Sequence, residues 1–481
     1  MDFIQYYLNI FRKRLSAHGT VGTSALVVSA CGGGSGAGSH GFPGSYVAPN
    51  GNYTQPVTED PNYEALLTSY AAPYWVAALE MDQRDIHVTP MLEDFERLIE
   101  YTFPDTQPAY DHYSVTGWQP ASEEMRAATR EILAKFEEIL DVSFVEGAEP
   151  AATNVISVGR SNQATTSGFS YFPNNFYEIG MDVFIAKGYA SPRFTSELIT
   201  NYDYEVLVHE LGHALGLKHP FDNTNGRPTY EDVGFGSYND MRYTVMSYDD
   251  EFGDMLNAPA TFMLGDALTL MSLYGVNYST NTGNDTYSFD DLSFRIAIWD
   301  ADGNDTIDLS DCNNDVRIEL TTNYSVADLG FEYGFVVIDA NSDHEKFMGI
   351  MGEFENVTCG SGNDLVYGDE NNNVIIGGTG NDEIYGRDGD DVIFGGAGDD
   401  WIVGGIGDDN LAGGAGADTF IIGLGHGSDT IVDFQDNIDQ VRFYVDDQGN
   451  NPFTGRSASD EGFLVYNLVD GSSITLDGIL Y

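Results

Sequence analysis

Three of the nine histidines in this chain lie in the stretch HELGHALGLKHP, which begins at His209. His209 and His213 are four residues apart, so on a helix their side chains project from one face and two imidazoles can hold one metal ion. Gly216 lets the helix end and the chain turn, which would bring His219 to the same ion. Three neutral nitrogens suit zinc and leave one position open for water, which the adjacent Glu210 can reach as a base. The spacing therefore predicts a catalytic zinc site rather than an amphipathic helix with surface histidines.

The elements that must hold these residues follow from the surrounding pattern. Helices are predicted at 122–140 with Ser122 as N-cap, from about Asn201 or Asp203 through the histidines, and at 265–275. Short strands are predicted at 96–103, 142–146, 154–160, 168–173 and 180–186. From about residue 60 onward the composition is that of a globular domain that contains both helices and strands.

The chain has 481 residues, enough for two or three domains, and its formal net charge is −56 from 76 acidic and 20 basic residues. This excess repels nucleic acid and anionic membranes, but it suits hard cations, which bind carboxylate and carbonyl oxygens. Hydrophobic residues make up 42% and aromatic residues 13%, which argues against a disordered acidic chain. The three cysteines, Cys31, Cys312 and Cys359, are too few for a disulfide framework, and no apolar run reaches the ~18 residues of a membrane span.

From Gly360 the sequence repeats seven times with a period of nine residues. In its full form each repeat is a glycine-rich turn, G-G-x-G-x-D, followed by a short strand with an apolar centre. A fixed short period is typical of a solenoid, in which these centres stack as an internal ladder. The ladder residues are Val366, Ile375, Ile384, Ile393, Ile402, Leu411 and Phe420.

The repeats also carry recurring carboxylates, which would repel one another without bound cations. Oxygen ligands select calcium, and the glycines permit positive φ and expose their carbonyls to the ion. The predicted calcium ligands are Asp364, Asp382, Asp391, Asp400, Asp409, Asp418, Gly378, Gly380, Gly396, Gly398, Gly405 and Gly407. An earlier turn in WDADGNDTIDLS adds Asp302 and Asp305 as candidates.

If two repeats make one coil, each calcium ion lies between turns that are 18 residues apart. The aspartates should then form two edges of the stack, Asp382, Asp400 and Asp418 on one and Asp364, Asp391 and Asp409 on the other. Asn373 stands where an aspartate should, so the site that it borders is expected to be weaker or empty.

The complete string H-E-x-x-H-x-x-G-x-x-H resembles the metzincin clan of zinc peptidases, and YTVMSY, which contains Met246, fits the Met-turn of that clan. Pro220 directly after the third histidine, together with Tyr248, points to one branch, the serralysins. The nine-residue repeats resemble the RTX repeat, and the likeness covers about residues 95–481. It implies an α+β zincin/metzincin catalytic domain (mixed sheet plus helices) over 61–277. An all-β parallel β-roll (RTX) domain with a C-terminal secretion-type region would follow over 278–481.

The resemblance also implies roles for single residues. Glu210 would take a proton from a zinc-activated water, and Tyr248 would be an additional zinc ligand that moves off to bind the tetrahedral intermediate. Met246 would pack beneath the zinc without binding it. The substrate would lie extended along an edge strand, for which GFSYFP at 168–173 is the candidate. The loop Pro220–Tyr243 would shape the specificity pocket.

The N-terminal segment departs from the serralysin pattern. Basic residues at 12–14 precede a short apolar run, and VSAC, which ends at Cys31, resembles a bacterial lipobox whose cysteine is lipidated. Residues 1–31 are therefore predicted to be a signal peptide and 32–60 a linker; the alternative is a misassigned start followed by a linker. Serralysins instead leave the cell through a type I channel that reads a C-terminal signal. Either route ends outside the cytoplasm, and residues 50–95 are a candidate propeptide.

These patterns together predict an extracellular or surface-anchored zinc metalloendopeptidase, stabilised by calcium, with Glu210 as general base. It would hold one catalytic zinc and several structural calcium ions, cleave protein or peptide substrates and act as a monomer. It would bind no nucleic acid, and the lipobox reading would give it an outer-membrane lipid anchor. The alternatives are a catalytically silent calcium-binding surface or adhesion protein and a zinc hydrolase of non-peptide substrates. The intact Glu210, histidines and Tyr248 argue against the silent protein.

Overall fold

The structure is a computed structural model. It describes residues 79, 97–108, 116–147, 155–162, 167–173, 181–187, 202–222, 229–230, 241–248, 259, 261–290, 296–321, 333–338, 346–423, 425–443, 453–459 and 463–480. All of them lie in one compact unit, Gly44–Tyr481. The other unit, Met1–Pro43, falls outside the described residues, and with it the predicted signal peptide and Cys31. The predicted linker also lies outside them, as does the candidate propeptide apart from Leu79.

A mixed sheet of six strands forms the first part of the described chain. The strands are β1 (Leu98–Thr102), β2 (Gln119–Pro120), β3 (Ser143–Glu146), β4 (Val155–Ser161), β5 (Gly168–Ser170) and β6 (Val183–Ala186). Their order is β3-β1-β4-β6-β5, with β2 paired to β4. The pairs β1–β3, β1–β4 and β4–β6 are parallel, whereas β5 at the edge runs antiparallel to β6. The predicted strands are therefore present, and GFSYFP contains the edge strand of this sheet, over its first three residues.

Three helices of the described chain share a hydrophobic core with this sheet, and they lie close to the predicted bounds: α1 (Glu123–Ile139), α2 (Tyr202–Ala214) and α3 (Leu264–Tyr274). The predicted cap of α1 is confirmed, because Ser122 Oγ accepts a hydrogen bond of 3.3 Å from the Met125 backbone N–H. The apolar stripe of α1, including Met125 and Phe136, is fully buried. Among the described residues, no helix is both long enough and apolar enough to cross a bilayer.

The rest of the described chain forms two larger sheets. The strands are β7 (Thr286–Asp290), β8 (Ile296–Trp299), β9 (Thr306–Asp311), β10 (Val316–Glu319), β11 (Tyr333–Ile338), β12 (Lys346–Met351), β13 (Asn356–Thr358), β14 (Leu365–Tyr367), β15 (Val374–Thr379), β16 (Glu383–Asp388), β17 (Val392–Ala397), β18 (Trp401–Ile406), β19 (Asn410–Ala415), β20 (Thr419–Ile422), β21 (Ser428–Ile431), β22 (Gln440–Phe443), β23 (Phe453–Ala458), β24 (Phe463–Leu468) and β25 (Ser473–Leu480). One sheet has the order β22-β20-β18-β16-β14-β10-β11-β12-β8. The other has the order β23-β24-β25-β21-β19-β17-β15-β13-β9-β7.

Successive repeats alternate between these two sheets, so strands that are two repeats apart pair in parallel. The ladder residues line up in register, Ile375, Ile393 and Leu411 in one sheet and Val366, Ile384, Ile402 and Phe420 in the other. Every one of these side chains is fully buried. The parallel pairing agrees with the predicted β-roll.

The hydrophobic core around α2 and α3 continues past the predicted domain boundary at residue 277. Trp299 and Met351, from the second part of the chain, belong to this core. Gly349 of β12 approaches α3 so closely that an added Cβ would lie 2.6 Å from Leu264 Cβ. A second core lies inside the roll. The exact boundary stays a prediction, but strands beyond it contribute to the core that supports the histidine helix.

Candidate metal centres

The structure brings the three predicted zinc ligands together. The Nε2 atom of His219 lies 3.1 Å from His213 Nε2 and 3.3 Å from His209 Nε2. One ligand atom from each residue lies within 4.8 Å of the others, and His209 and His213 are buried. Three imidazole nitrogens therefore point at one place, as the spacing predicted.

The end of α2 explains how His219 reaches this place. Gly216 has a φ of 104°, which favours glycine, and its N–H donates to the His213 carbonyl at 3.0 Å. The Leu217 N–H donates to the Gly212 carbonyl at 2.9 Å. This pair of bonds is the Schellman motif, which ends a helix and turns the chain back. The predicted role of Gly216 is confirmed.

The opposite ring nitrogens fix the tautomers of the helical histidines. His209 Nδ1 lies 2.7 Å from the Val245 carbonyl oxygen, and His213 Nδ1 lies 2.7 Å from that of Leu217. A carbonyl can only accept, so Nδ1 donates in both cases and the Nε2 lone pair is left for a metal. Burial also lowers the pKa of His209 to about 4 and that of His213 to about 3. Both rings are therefore neutral at pH 7, the state that binds metal.

Glu210 lies beside this cluster on α2 and is buried. Its Oε2 atom has no hydrogen-bond partner among the described residues, and burial raises the pKa of the carboxyl well above its usual range. Edge strand β5 passes directly over it, because a Cβ added to Gly168 would lie 2.7 Å from both Cγ and Oε1 of Glu210. An orphaned buried carboxylate oxygen beside three neutral imidazole nitrogens fits a zinc-bound water.

The two predicted residues of the Met-turn take different positions. The Tyr248 hydroxyl lies 2.6 Å from His219 Nε2, at the open side of the cluster. Met246 is fully buried, and its sulfur lies 2.8 Å from where a Cβ on Gly212 would be, so it packs against α2 between the two helical histidines. These positions agree with a tyrosine at the metal and a methionine that only supports it.

Asp266, at the start of α3, was missed by the sequence analysis. Its carboxylate is fully buried and accepts hydrogen bonds from Thr244 Oγ1 at 2.6 Å, Val245 N at 2.7 Å and Met263 N at 3.0 Å. Thr244 Oγ1 in turn accepts from the Met246 backbone N–H at 3.0 Å. The carboxylate thereby fixes the turn whose Val245 carbonyl orients His209. The only sequence signal was an acidic residue in the first turn of a helix, which is common.

In the roll, the predicted aspartates share one geometry. Their Oδ1 atoms accept backbone N–H bonds from earlier residues. Asp382 accepts from Asp364 at 2.8 Å and Asp409 from Asp391 at 2.9 Å, one coil back, whereas Asp364 accepts from Val316 at 2.8 Å, 48 residues back. Their Oδ2 atoms are buried and have no partner among the described residues. This holds for Asp305, Asp364, Asp382, Asp391, Asp400, Asp409, Asp418 and Asp429. Orphaned carboxylate oxygens in a stack fit a hard cation such as calcium.

The predicted division of the aspartates into two edges is wrong for Asp364. Its N–H donates to Asp382, and the same bond continues from Asp382 to Asp400 and from there to Asp418, so all four lie on one edge. The reason is that one coil spans 18 residues, which is the separation between Asp364 and Asp382. The predicted positive φ of the turn glycines is confirmed, with values between 107° and 151° at Gly378, Gly380, Gly396, Gly398, Gly405 and Gly407, and their role as calcium ligands stays a prediction.

Further acidic residues extend these rows. Asp429 and Asp439 accept from Asp409 N at 3.2 Å and Asp418 N at 3.1 Å, at separations of 20 and 21 residues that the regular period did not reveal. The earlier turn adds two carboxylates to the predicted Asp305, while the role of Asp302 stays a prediction. Asp305 clusters with Asp285 and Asp300, whose carboxylate oxygens lie within 4.8 Å of one another, whereas the side chain of Asp302 is exposed.

The turn at Asn373 differs from its neighbours. Asn373 Oδ1 accepts from the Asp369 N–H at 2.9 Å, and Asn373 Nδ2 donates to Asp369 Oδ1 at 3.1 Å. Asn371 donates to the same carboxylate through its backbone N–H, at 2.8 Å, and through its side-chain amide, at 3.1 Å. The polar atoms of this turn are therefore satisfied within the turn, in keeping with the predicted weak or empty site.

Comparison with known proteins adds relatives for both parts. Residues 360–431 match a family model for the RTX calcium-binding nonapeptide repeat in four overlapping copies. The chain is 30% identical over 307 residues to the metallopeptidase AprA of Pseudomonas marginalis, which covers 58% of this chain and 61% of that protein. It is 30% identical to a serralysin of Proteus mirabilis, over 58% of this chain and 60% of that protein. It is 34% identical to the metalloprotease AprA of Pseudomonas entomophila, over 36% of this chain and 38% of that protein.

The chain spans about three fifths of the length of the first two relatives. Among solved structures, the lipase LipA of Serratia marcescens aligns with 14% identity over 41% of this chain and 35% of that chain, at a TM-score of 0.19. More than half of the chain is thus homologous, at about 30% identity, to metalloproteases of the serralysin type, and its C-terminal part carries RTX calcium-binding repeats.

Proposed function

We propose that this chain is a calcium-stabilised zinc metalloendopeptidase that hydrolyses peptide bonds of proteins, with Glu210 as the general base. The observation that carries the proposal is the convergence of three neutral imidazole Nε2 atoms beside the orphaned Oε2 of Glu210. The relatives named as metalloproteases support it. Within the proposal, residues 61–277 form a catalytic domain of the metzincin type and residues 278–481 a calcium-binding roll.

His209, His213 and His219 would hold the zinc, with Tyr248 as a fourth protein ligand. When bound, zinc would acidify a water molecule and polarise the scissile carbonyl. Glu210 Oε2 accepts the proton of the attacking water and later delivers it to the leaving amine. Burial raises the pKa of this carboxyl above its usual range, which favours uptake of the proton from the water. The Tyr248 hydroxyl donates a hydrogen bond to the oxyanion.

The substrate lies along β5. This strand is at the edge of its sheet, pairs with β6 on one side, and crosses Glu210 at Gly168. An extended peptide can add to such an edge by main-chain hydrogen bonds, which places a peptide bond over the histidines without reading its sequence. The roll needs calcium to neutralise its buried carboxylates, so we place the protein outside the cytoplasm, where calcium is abundant. The lipid anchor at Cys31 and the monomeric state stay predictions.

The test is hydrolysis of casein by the full chain in calcium, after zinc has been removed by chelation and then restored. We expect cleavage to disappear and return with one equivalent of zinc. Glu210→Gln should lower kcat about 100-fold or more while zinc content stays near one per chain, because general acid–base catalysis contributes at least that much. Zinc bound at one equivalent without any cleavage by the native chain would favour the silent calcium-binding protein. Cleavage that survives Glu210→Gln would refute the mechanism.

A further inference from the structure

Phe221 is an exposed aromatic side chain in direct contact with the histidine cluster. It follows Pro220 and is 44% exposed. Its ring is nearly parallel to that of His219, with centroids 5.0 Å apart and an interplanar angle of 5°. It also lies 5.1 Å from the ring of Tyr248, which is itself 44% exposed. A single exposed apolar side chain is ordinary on a protein surface. This one differs because its ring contacts with described residues are with His219 and Tyr248 of the proposed zinc centre.

A second phenylalanine flanks the cluster from the side of the edge strand. Phe172 follows β5 and meets His213 edge to face, with ring centroids 5.4 Å apart and an interplanar angle of 78°. Unlike Phe221, it is partly buried and packs against the main core. The histidine rings are therefore flanked by the partly buried ring of Phe172 at His213 and by the exposed pair Phe221 and Tyr248 at His219.

We propose that Phe221, with the ring of Tyr248, forms an apolar subsite for the side chain of a substrate residue next to the scissile bond. A peptide laid along β5 has its reacting carbonyl at the histidines, so a neighbouring side chain reaches the exposed pair. The matching substrates carry a large aliphatic or aromatic residue at that position. This inference rests on the proposed peptidase function and adds a preference to it.

The apolar rings of Phe221 and Tyr248 explain why a large aliphatic or aromatic substrate residue is preferred. An apolar side chain that covers the two rings removes apolar surface of both partners from water. Aromatic side chains gain further from stacked or edge-to-face contact with Phe221. A small side chain leaves the rings exposed, and a carboxylate would lose hydration without gaining a hydrogen bond from Phe221. Discrimination between apolar side chains of different size is commonly about 10-fold or more per methylene.

The test uses quenched fluorescent peptides that differ only at the two residues flanking the cleaved bond, with Leu, Phe, Ala or Asp at each. We expect the wild-type chain, loaded with zinc and calcium, to prefer Leu or Phe over Ala by about 10-fold in kcat/KM at one of these positions. Phe221→Ala should bring that ratio close to 1, mainly through KM, while Phe221→Leu keeps most of it. Phe394→Ala is the matched control, because Phe394 is similarly exposed, at 43%, but lies on β17 of the roll.

Zinc content and thermal unfolding are measured for each variant, so that a loss of metal or of folding is separated from a loss of selectivity. A ratio that stays near 10 in Phe221→Ala would overturn the subsite. So would an equal fall in kcat for all peptides with KM unchanged, since Phe221 would then act by holding Tyr248 or His219 in place. If the wild-type chain binds zinc but cleaves no peptide at all, the peptidase function itself fails, and the subsite falls with it.

Discussion

Asp266 is a fully buried carboxylate that fixes the turn beneath the histidine cluster. It accepts hydrogen bonds from Thr244 and Val245, and the Val245 carbonyl accepts from His209 Nδ1. The orientation of a metal-binding histidine depends on the acceptor of its second nitrogen, and losing such a partner commonly costs 10- to 100-fold in metal affinity. Asp266 therefore acts on the proposed zinc site through a backbone carbonyl, without touching the metal.

Asp266→Asn should weaken zinc binding by about 10-fold or more. The amide has one acceptor oxygen where the carboxylate has two. If that oxygen accepts from the two backbone N–H groups, the NH2 group takes the place of the oxygen that accepts from Thr244 Oγ1, and the hydroxyl loses its acceptor. The measurement is zinc affinity by competition with a chromogenic chelator, with cleavage at saturating zinc as a second readout. Asp105→Asn is the control, because Asp105 is a surface carboxylate paired with Arg126. Equal zinc affinity in Asp266→Asn and the native chain would contradict this role.

The sequence predicted that the three histidines converge and that Glu210 lies beside them, because this geometry is local. One helix and one glycine turn determine where they point, and both are visible in the spacing. Asp266 belongs to a different helix, and only tertiary packing brings it under Val245. Phe221 lies in the loop that was expected to shape the specificity pocket, but its exposure is a tertiary property, so the sequence offered no reason to single it out.

The turn closed by Asp369 and Asn373 interrupts an otherwise regular calcium array. In neighbouring turns the aspartate Oδ2 is orphaned, as at Asp382 and Asp391. At Asn373 the side-chain amide exchanges hydrogen bonds with Asp369. Asp369 occupies a repeat position that is glycine in several neighbouring repeats. The side-chain oxygens of Asp369 and Asn373 therefore have hydrogen-bond partners without a cation. The array therefore contains a turn that is closed by its own hydrogen bonds.

Restoring the repeat should create a calcium site. The triple variant Asp369→Gly, Asn371→Gly, Asn373→Asp replaces the internal hydrogen bonds by the two turn glycines and the orphaned carboxylate of the adjacent coils, because the glycines equivalent to Asn371 have a positive φ, 137° at Gly380 and 114° at Gly389. We expect one more calcium ion per chain, counted by equilibrium dialysis or by titration of the calcium-free protein. Asp391→Asn, made in parallel, should lower the count. An unchanged count in this variant, with the expected loss in Asp391→Asn, would contradict the idea that the hydrogen bonds around Asp369 keep the native turn free of calcium.

The nine-residue period was enough to predict the parallel stacking and the ladder, because each repeat is one strand and one turn. It did not predict on which edge of the roll Asp364 lies. Aspartates share an edge when they are one coil apart, and one coil contains two repeats. Asp429 and Asp439 continue the two rows of aspartates, because they accept hydrogen bonds from the preceding coil. Their separations from those residues are longer than the regular coil, so the repeat period did not reveal them. The strands β10 to β12 and β23 to β25, which include antiparallel pairs, have no repeat to reveal them.

The molecule as a whole combines a net charge of −56 with carboxylates buried in the roll. Burial raises the pKa of these groups far above the usual value of about 3.9 for aspartate. The pKa is raised to about 8 for Asp391 and Asp429, and to about 7 for Asp364 and Asp400. Without calcium, the folded roll therefore retains protons that the unfolded chain has already lost.

The difference in bound protons between the folded and the unfolded chain determines how the stability of the calcium-free protein changes with pH. Its native state binds more protons than its unfolded state above about pH 4, so stability is present at low pH and is lost as pH rises through 7 and 8. The buried histidines have lowered pKa values and act in the opposite direction, but above about pH 7 they are nearly neutral in both states. Between about pH 7 and pH 8.5 the aspartates dominate the change.

We expect the roll of the calcium-free chain to melt at a lower temperature at about pH 8.5 than at about pH 7, followed by the β signal in circular dichroism. Saturating calcium should remove or reverse this trend, because the ion binds the deprotonated carboxylates and competes with protons less at high pH. Calcium affinity should accordingly rise over the same interval. Asp391→Asn is the matched variant, since it removes one of the groups with a pKa near 8 and should flatten the dependence. A calcium-free roll that becomes more stable as pH rises would mean that its carboxylates are ionised and satisfied without the metal, which would remove the reason for the roll to depend on calcium.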